Sequence, residues 1–467
     1  MYHFFFLLLH KKLTDKTNNY KTKLMEPNIT KGRSPISWVP TLYFAMGMPF
    51  VVLNMVCVLM FKGLDVSDAQ IAFWTSLIML PWTLKPLWSP LLEIYKTKKF
   101  FVIVTQIATG CLFGLVALAL HLPNFFAVCI ALLAVIAFSG ATHDVAADGV
   151  YMASLSKDDQ ARYIGWQGAF YNIAKIAATG GLVYLAGVLI NSYTGDTAGL
   201  DAAAIAAAKR HATVLAWTVI MAVIGIVMVV LGLYNMKFVP SETPRDKTER
   251  PGFKETMVEL GNVFVDLFRK RHIVYYIVFI ILYRFAEGFV MKIVPLFLKA
   301  DRADQGLGLS EQEIGLCYGT FGAAAFVIGS ILAGYYVAHR GLQKSLFSLC
   351  CVFNLPFVAY TLLAIYQPES LWLIGGGIVL EYFGYGFGFV GLTLFMMQQI
   401  APGKHQMAHY AFASGIMNLG VMLPGMLSGY VSDWLGYRDF FIFVLFCTIP
   451  AFLITWFVPF TYPDKKK

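Results

Sequence analysis

Charge is what this chain has least of. Asp, Glu, Lys and Arg make up 13% of its 467 residues, about half the ~25% typical of a soluble domain. With 58% of residues hydrophobic, an ordinary water-soluble globule is excluded. A glycine-rich phosphate loop is also missing, so ATP is not the expected energy source. The loops carry no nucleophile–base constellation and no His/Cys spacing suited to a metal, so no enzyme, metal or cofactor is expected. The seven cysteines (Cys57, Cys111, Cys129, Cys317, Cys350, Cys351 and Cys447) all fall inside apolar runs and serve as small apolar residues. Phe4–Leu9 is too short for a signal-peptide core. Residues 1–24 read as a leader ahead of a start at Met25, the alternative being a basic tail. The net charge of +9 does not point to nucleic acid, because the basic residues sit in particular loops.

Long apolar runs fill the rest. About 20 residues at 1.5 Å each cross the hydrocarbon of a bilayer, and twelve such runs lie near 36–61, 68–90, 100–120, 124–152, 161–190, 212–236, 272–298, 310–338, 345–366, 370–399, 405–431 and 439–460. The expected fold is an all-α membrane protein. With both ends cytoplasmic, the inner segments hold 26 basic residues and the outer loops 6, a bias that fixes the orientation. The chain divides into a tail (1–35), a first six-helix half (36–236), a linker (237–271), a second six-helix half (272–460) and a short tail (461–467). In the linker, Phe253, Met257, Leu260, Phe264 and Leu267 recur at helical spacing among charges, which predicts an amphipathic surface helix.

The halves echo each other. Leu64-Asp-Val-Ser67-Asp-Ala-Gln70 matches Leu307-Gly-Leu-Ser310-Glu-Gln-Glu313, and both have the form of a capping box. Phe44–Gly47 matches Phe285–Gly288, while Gln160 and Asn172 match Gln406 and Asn418. An even number of spans separates the copies, so they run parallel, as in carriers whose halves rock about a central site. Gly375–Gly377, Gly384, Gly386 and Gly388 make span ten able to pack closely or to bend.

The chemistry concentrates at Ser139–Gly149, which closes span four. An ionised group at bilayer depth costs roughly 2.5–3.5 kcal/mol or more, yet this helix carries His143, Asp144 and Asp148. Asp144 and Asp148 share one helical face, which must look at water, a cation or a solute, unless both only bind neighbouring helices. In span seven, Arg284 and Glu287 are placed to pair. Lys175 in span five and Glu381 in span ten come out at similar depth. Such groups mark a solute or proton path by default. Asp144, Glu287 and Glu381 are the proton-coupling candidates, because burial penalises a carboxylate's charged form. The candidate cavity comprises His143, Trp166, Gln167, Tyr171, Asn172, Lys175, Arg284, Tyr382, Tyr385 and Asn418, where amides and aromatic faces suit a solute rich in hydroxyls or acyl amides; Asn54 and Gln398 add further amides. Lys85, Glu93, Lys98 and Asp148 are the candidate cytoplasmic gate. Lys292, near the outer end, reads as a snorkelling lysine, and Trp38 and Trp82 as interface-belt residues.

At these residues the chain resembles the major facilitator superfamily and, within it, the AmpG-like muropeptide permeases. Ala141-Thr-His-Asp144-Val-Ala-Ala-Asp148 is similar to that group's Ala-Thr-Gln-Asp…Asp pattern. Lys85-Pro-Leu-Trp88-Ser-Pro90-Leu-Leu-Glu93 looks like its Lys-x-Leu-Trp-Ala-Pro…Asp loop, and Tyr283-Arg284-Phe-Ala-Glu287 resembles a Tyr-Lys-x-x-Asp pattern. His143, Glu93, Glu287 and Arg284 depart from it, keeping charge where the family has charge. The resemblance implies a monomeric secondary transporter of the bacterial inner membrane, importing a saccharide or muropeptide-like solute with protons. An exporter of amphipathic compounds, an acetyl-CoA carrier of the same family and a receptor on a transporter fold are the rival readings.

Overall fold

The structure is a computed structural model describing residues 34–89, 92, 96–155, 157–241, 253–403 and 406–462. Among these residues it is all helix and turn, with no strand. Among the described residues nine helices are long and apolar enough to cross a membrane. The last of them, Ala408–Trp456, is broken at Gly436, whose φ of 74° lies outside the helical region, and supplies spans eleven and twelve. Two further spans are interrupted helices. Span two runs from Asp68–Leu77 through Leu80–Leu84 to the tight turn Lys85–Leu87, with Pro81 and Pro86 removing backbone donors along it. Span seven is split at Arg284 into Ile273–Tyr283 and Phe285–Lys299. The path is therefore twelve spans, with residues 34 and 462 at one end of the bundle, here called the termini end.

Two expectations shift in detail. Span six begins at Ala202, well before 212, because Asp201 caps an alanine run by accepting from Ala204 N at 2.7 Å, and alanine is the best helix former. The resulting helix of 37 residues is ~55 Å long at 1.5 Å per residue, so its first turns stand clear of a ~30 Å hydrocarbon layer. Of the two matched caps, Ser310–Glu313 is a full capping box, whereas Ser67 accepts from Gln70 N without a return bond.

Spans one, three, four, five and six pack among themselves, as do seven to twelve. Across the two sets, span two lies along span eleven and span five along span eight. Glycine permits the first contact: a Cβ on Gly425 would sit 2.7 Å from Ser76 Oγ, and one on Gly415 would sit 2.8 Å from Thr83 O. Among the described residues four wide, π-helical turns interrupt the spans, at Val52–Val56, Ala177–Leu182, Gly315–Gly322 and Met396–Ile400. The second and third face each other, with Gly180 against Thr320. Such turns gather at functional sites in helical proteins.

Contacts between the two sets also close the end opposite the termini. Lys299 binds Glu311 and reaches Leu59 O in span one at 3.4 Å. Asp68, paired with Lys62 at 2.7 Å, accepts from Tyr437. In the connecting segment, helix Phe253–Phe268 docks through Val263, Leu267 and Phe264, whose ring centroid lies 3.9 Å from that of Phe412. Val258, Val265 and Phe268 stay exposed, the second apolar stripe of an amphipathic surface helix.

Candidate functional site

The break in span seven positions the innermost charges. Arg284 leaves helical geometry (φ −106°, ψ 7°), and the helix restarts at Phe285. Its guanidinium then turns back onto the new helix's first turn, where Glu287 sits. Nε and Nη2 each donate to a Glu287 carboxylate oxygen at 2.5 Å, and both side chains are only 5% exposed. This fork is the geometry a guanidinium and a carboxylate prefer. The guanidinium also lies 5.2 Å from the centre of the Phe389 ring, and Tyr283 OH anchors the break to Gly388 O at 2.9 Å.

Lys175 comes from the other side of the molecule. Its Nζ stands 4.8 Å, 5.1 Å and 5.7 Å from the ring centres of Phe326, Tyr382 and Tyr385. A cation of span five thus sits in an aromatic cup built by spans eight and ten, within the range where ring quadrupoles attract it. Among the described residues no carboxylate lies within ion-pair distance of it. Glu381, 6% exposed, instead accepts from Tyr360 OH in span nine at 3.0 Å.

A second cluster lies toward the termini end. Asp144 Oδ2 accepts from Trp82 Nε1 at 2.9 Å and lies 3.6 Å from Lys85 Nζ. Its Oδ1 is buried without a partner among the described residues. One turn on, Asp148 accepts from Tyr43 OH at 2.9 Å. Trp82 reaches Asp144 because Gly140 leaves room: a Cβ there would meet the indole at 2.7 Å. Span two's broken end and span four therefore meet through a carboxylate held by an indole N–H and an ammonium.

The candidates from sequence divide accordingly. Lys175, Arg284, Glu287, Tyr382 and Tyr385 come together, and Lys85, Asp144 and Asp148 form the second cluster. Lys98 lays its aliphatic stem over Gly149 beside Asp148, and Glu93 lies outside the described residues. His143 turns the other way, into the interior of the first six spans, with Nε2 2.9 Å from Gln106 Nε2. Asn235 donates to Gln106 Oε1 at 3.1 Å, and Thr41 donates to Asn235 Oδ1 at 2.8 Å. Because Gln106 Oε1 takes the Asn235 proton, its NH2 faces His143, whose Nε2 is then the acceptor. The remaining cavity candidates sit in spans five and eleven. Trp166 stacks on Phe170 at 6.0 Å and is 43% exposed. Asn172 bonds its own helix at Gly168 O (2.9 Å), while Gln167 Oε1 is buried without a partner among the described residues. Tyr171 and Asn418 are half-buried.

The structure corrects three sequence readings. Trp38 and Trp82 are 1% and 4% exposed and cannot form a lipid-facing belt; Trp82 is a site residue. Lys292 does not snorkel. It is 3% exposed and reaches Asn54 in span one at 3.3 Å. Asn54 is thereby committed to that lysine, and Gln398 is exposed at the end of span ten. The signal for Lys292 was present, since it is one of four cations inside the spans. What hid it was its depth near one end, where a lysine usually escapes to water.

Comparison with known proteins follows the same lines. The profile described as Major Facilitator Superfamily matches residues 41–398 and 280–467. A protein of Haemophilus influenzae is 24% identical over 441 residues, 91% of this chain and 94% of the relative. A Rickettsia prowazekii protein whose name provisionally assigns it as transporter AmpG 2 is 23% identical over 399 residues, 80% of this chain and 84% of its own. Among solved structures, the nucleoside transporter NupG superimposes with a TM-score of 0.66 at 13% identity, covering 90% of this chain and 99% of its own. A D-xylose-proton symporter does so with 0.64 at 11%, covering 91% and 98%. At those identities the likeness is one of fold alone.

Proposed function

The chain belongs to the Major Facilitator Superfamily, and from that membership we propose that it is a proton-coupled importer of a saccharide or muropeptide-like solute, working by alternating access. As a family member it is a multi-pass membrane transporter of a small-molecule solute, not an enzyme. The observation that carries the finer reading is the pair of clusters, one where spans five, seven, eight and ten meet and one toward the termini end. The first offers rings, a cation and a forked ion pair: Tyr382, Tyr385 and Phe326 around Lys175, with Arg284–Glu287 alongside. Aromatic faces stack on sugar rings, while the charged edges suit hydroxyls and acyl amides. The second offers a dry carboxyl, Asp144, held by Trp82 and Lys85 with one oxygen unengaged. A proton there removes a buried charge, and solute or water arriving beside it changes that cost. The resemblance of the sequence to the AmpG-like muropeptide permeases favours the muropeptide end of the range.

In this reading the halves are 36–236 and 272–460, joined by the 237–271 linker, with both termini cytoplasmic, Lys85, Lys98 and Asp148 gating that side, and the carrier monomeric in an inner membrane. The test is uptake into sealed vesicles of labelled N-acetylated amino sugars, their disaccharides and peptidoglycan fragments, with and without an imposed pH gradient. Concentrative uptake of at least one member, lost when the gradient is collapsed, is expected. Uptake of none, with apolar cations transported instead, would favour an exporter.

A further inference from the structure

Lys292 occupies a socket that nothing in the transport reading requires. Its Nζ lies 3.3 Å from Asn54 O, 3.3 Å from Asn54 Oδ1 and 3.4 Å from Thr75 O. An ammonium has three N–H donors, and here three neutral oxygens face it. Among the described residues no carboxylate lies within ion-pair distance of it. All three oxygens come from spans one and two, and the lysine comes from span seven.

The backbone explains why the Thr75 oxygen is free. Asn54 lies in the wide turn Val52–Val56. The helix Asp68–Leu77 stops just beyond Thr75, and the next N–H in register, that of Met79, bonds Ser76 O instead. Thr75 O is thus one of the orphan carbonyls at a helix C-terminus, where the macrodipole is negative and a cation is favoured. Thr75 is fully buried and Asn54 is 6% exposed, so without the ammonium Thr75 O would face no donor in a dry place, at a cost of about 1–3 kcal/mol.

We infer that Lys292 is the positioning residue that holds the end opposite the termini closed, a tethered cation seated in a three-oxygen socket formed by spans one and two. It lies one helical turn or more below the outer contacts of Lys299 and Asp68, and it is the dry part of that closure. Opening this end withdraws the ammonium from Asn54 and Thr75, so closure depends on a cation being present there. The inference stands apart from the identity of the solute, because its readout is a distance.

Spin labels at Ala203 and Ala303, exposed residues at that end on either side of the closure, report the distance by pulsed electron resonance, with Cys111 and Cys351 replaced by Ser. In purified protein, Lys292→Met should raise the ratio of open to closed populations at least tenfold. Asn54→Ala, which keeps the lysine and removes one oxygen, should raise it a few-fold, and it carries the test if the Met variant does not stay monodisperse. Adding ethylammonium to Lys292→Ala should restore the closed distance, whereas ethanol should not. An unchanged distribution in folded Met and Ala variants, or equal restoration by ethanol, overturns the inference. Loss of saccharide uptake with an unchanged distribution would bear on the transport reading and also overturn this one.

Discussion

Asp144→Asn separates the shape of the second cluster from its titration. The asparagine keeps the size and can still accept the Trp82 N–H, now 2.9 Å from Oδ2. It removes the negative charge 3.6 Å from Lys85 Nζ. At an effective dielectric of ~20, a unit pair at that separation attracts by about 4–5 kcal/mol, and the cost of drying the two charges offsets most of it. Lys85, whose side chain is 24% exposed, keeps access to water when its partner is gone, so the variant should fold, stay monodisperse and melt close to wild type. Transport is where it should differ. Each pH unit across a membrane is worth about 1.4 kcal/mol per proton, so a gradient of two units drives at most ~100-fold accumulation in a one-proton carrier. In vesicles under such a gradient, wild type should approach that ceiling and Asp144→Asn should fall to a ratio of about one, while counterflow exchange of labelled solute continues. Lowering the outside pH should accelerate uptake by wild type and leave exchange by the variant flat. If the Asn variant concentrates solute as wild type does, Asp144 is structural and the proton must pass through Glu287 or Glu381.

Other expectations are quick to check. Arg284→Ala strands Glu287 in a dry site and should cost about 3–5 kcal/mol of stability, whereas exchanging the two residues should retain more uptake than either single alanine change; equal losses would mean the pair has partners elsewhere. Trp82→Phe keeps the ring and removes the donor to Asp144, and should shift the pH dependence of uptake while leaving expression unchanged. Gly425→Val would drive a side chain against Ser76 and should lower uptake at least tenfold with expression intact. Reporter fusions within 196–209 and after Lys467 should read outside and inside respectively; a cytoplasmic signal from the former would reverse the topology.

Much of this architecture is visible in composition alone, because a bilayer imposes run lengths that no local propensity can disguise. The Arg284–Glu287 pair is visible for a similar reason: three residues apart on a helix is a contact. Asp144 could be singled out by its cost, but not its partners, since Trp82 and Lys85 are about sixty residues away and meet it only through the close approach at Gly140. His143 shows the limit most clearly. One residue before Asp144, it is turned by ~100° about the helix axis, which carries it from the face toward span two to the face toward Gln106. A sequence lists the two side by side, whereas the fold sends them to different rooms. Lys292 was hidden by its depth near one end, and the break in span two concealed one of its three acceptors, Thr75 O, which is free only because a helix ends there.

The wide turn Ala177–Leu182 lies between Lys175, in its aromatic cup, and Gly187, pressed against Gln312 at the far end. A π turn stores one residue more than an α turn without adding to the rise. Rewinding it as α would lengthen span five by ~1.5 Å and twist one part of it against the other by ~100°. Such a turn is slack held in a rope: were it taken up while Gly187 stayed clamped, Lys175 would be drawn out of its cup.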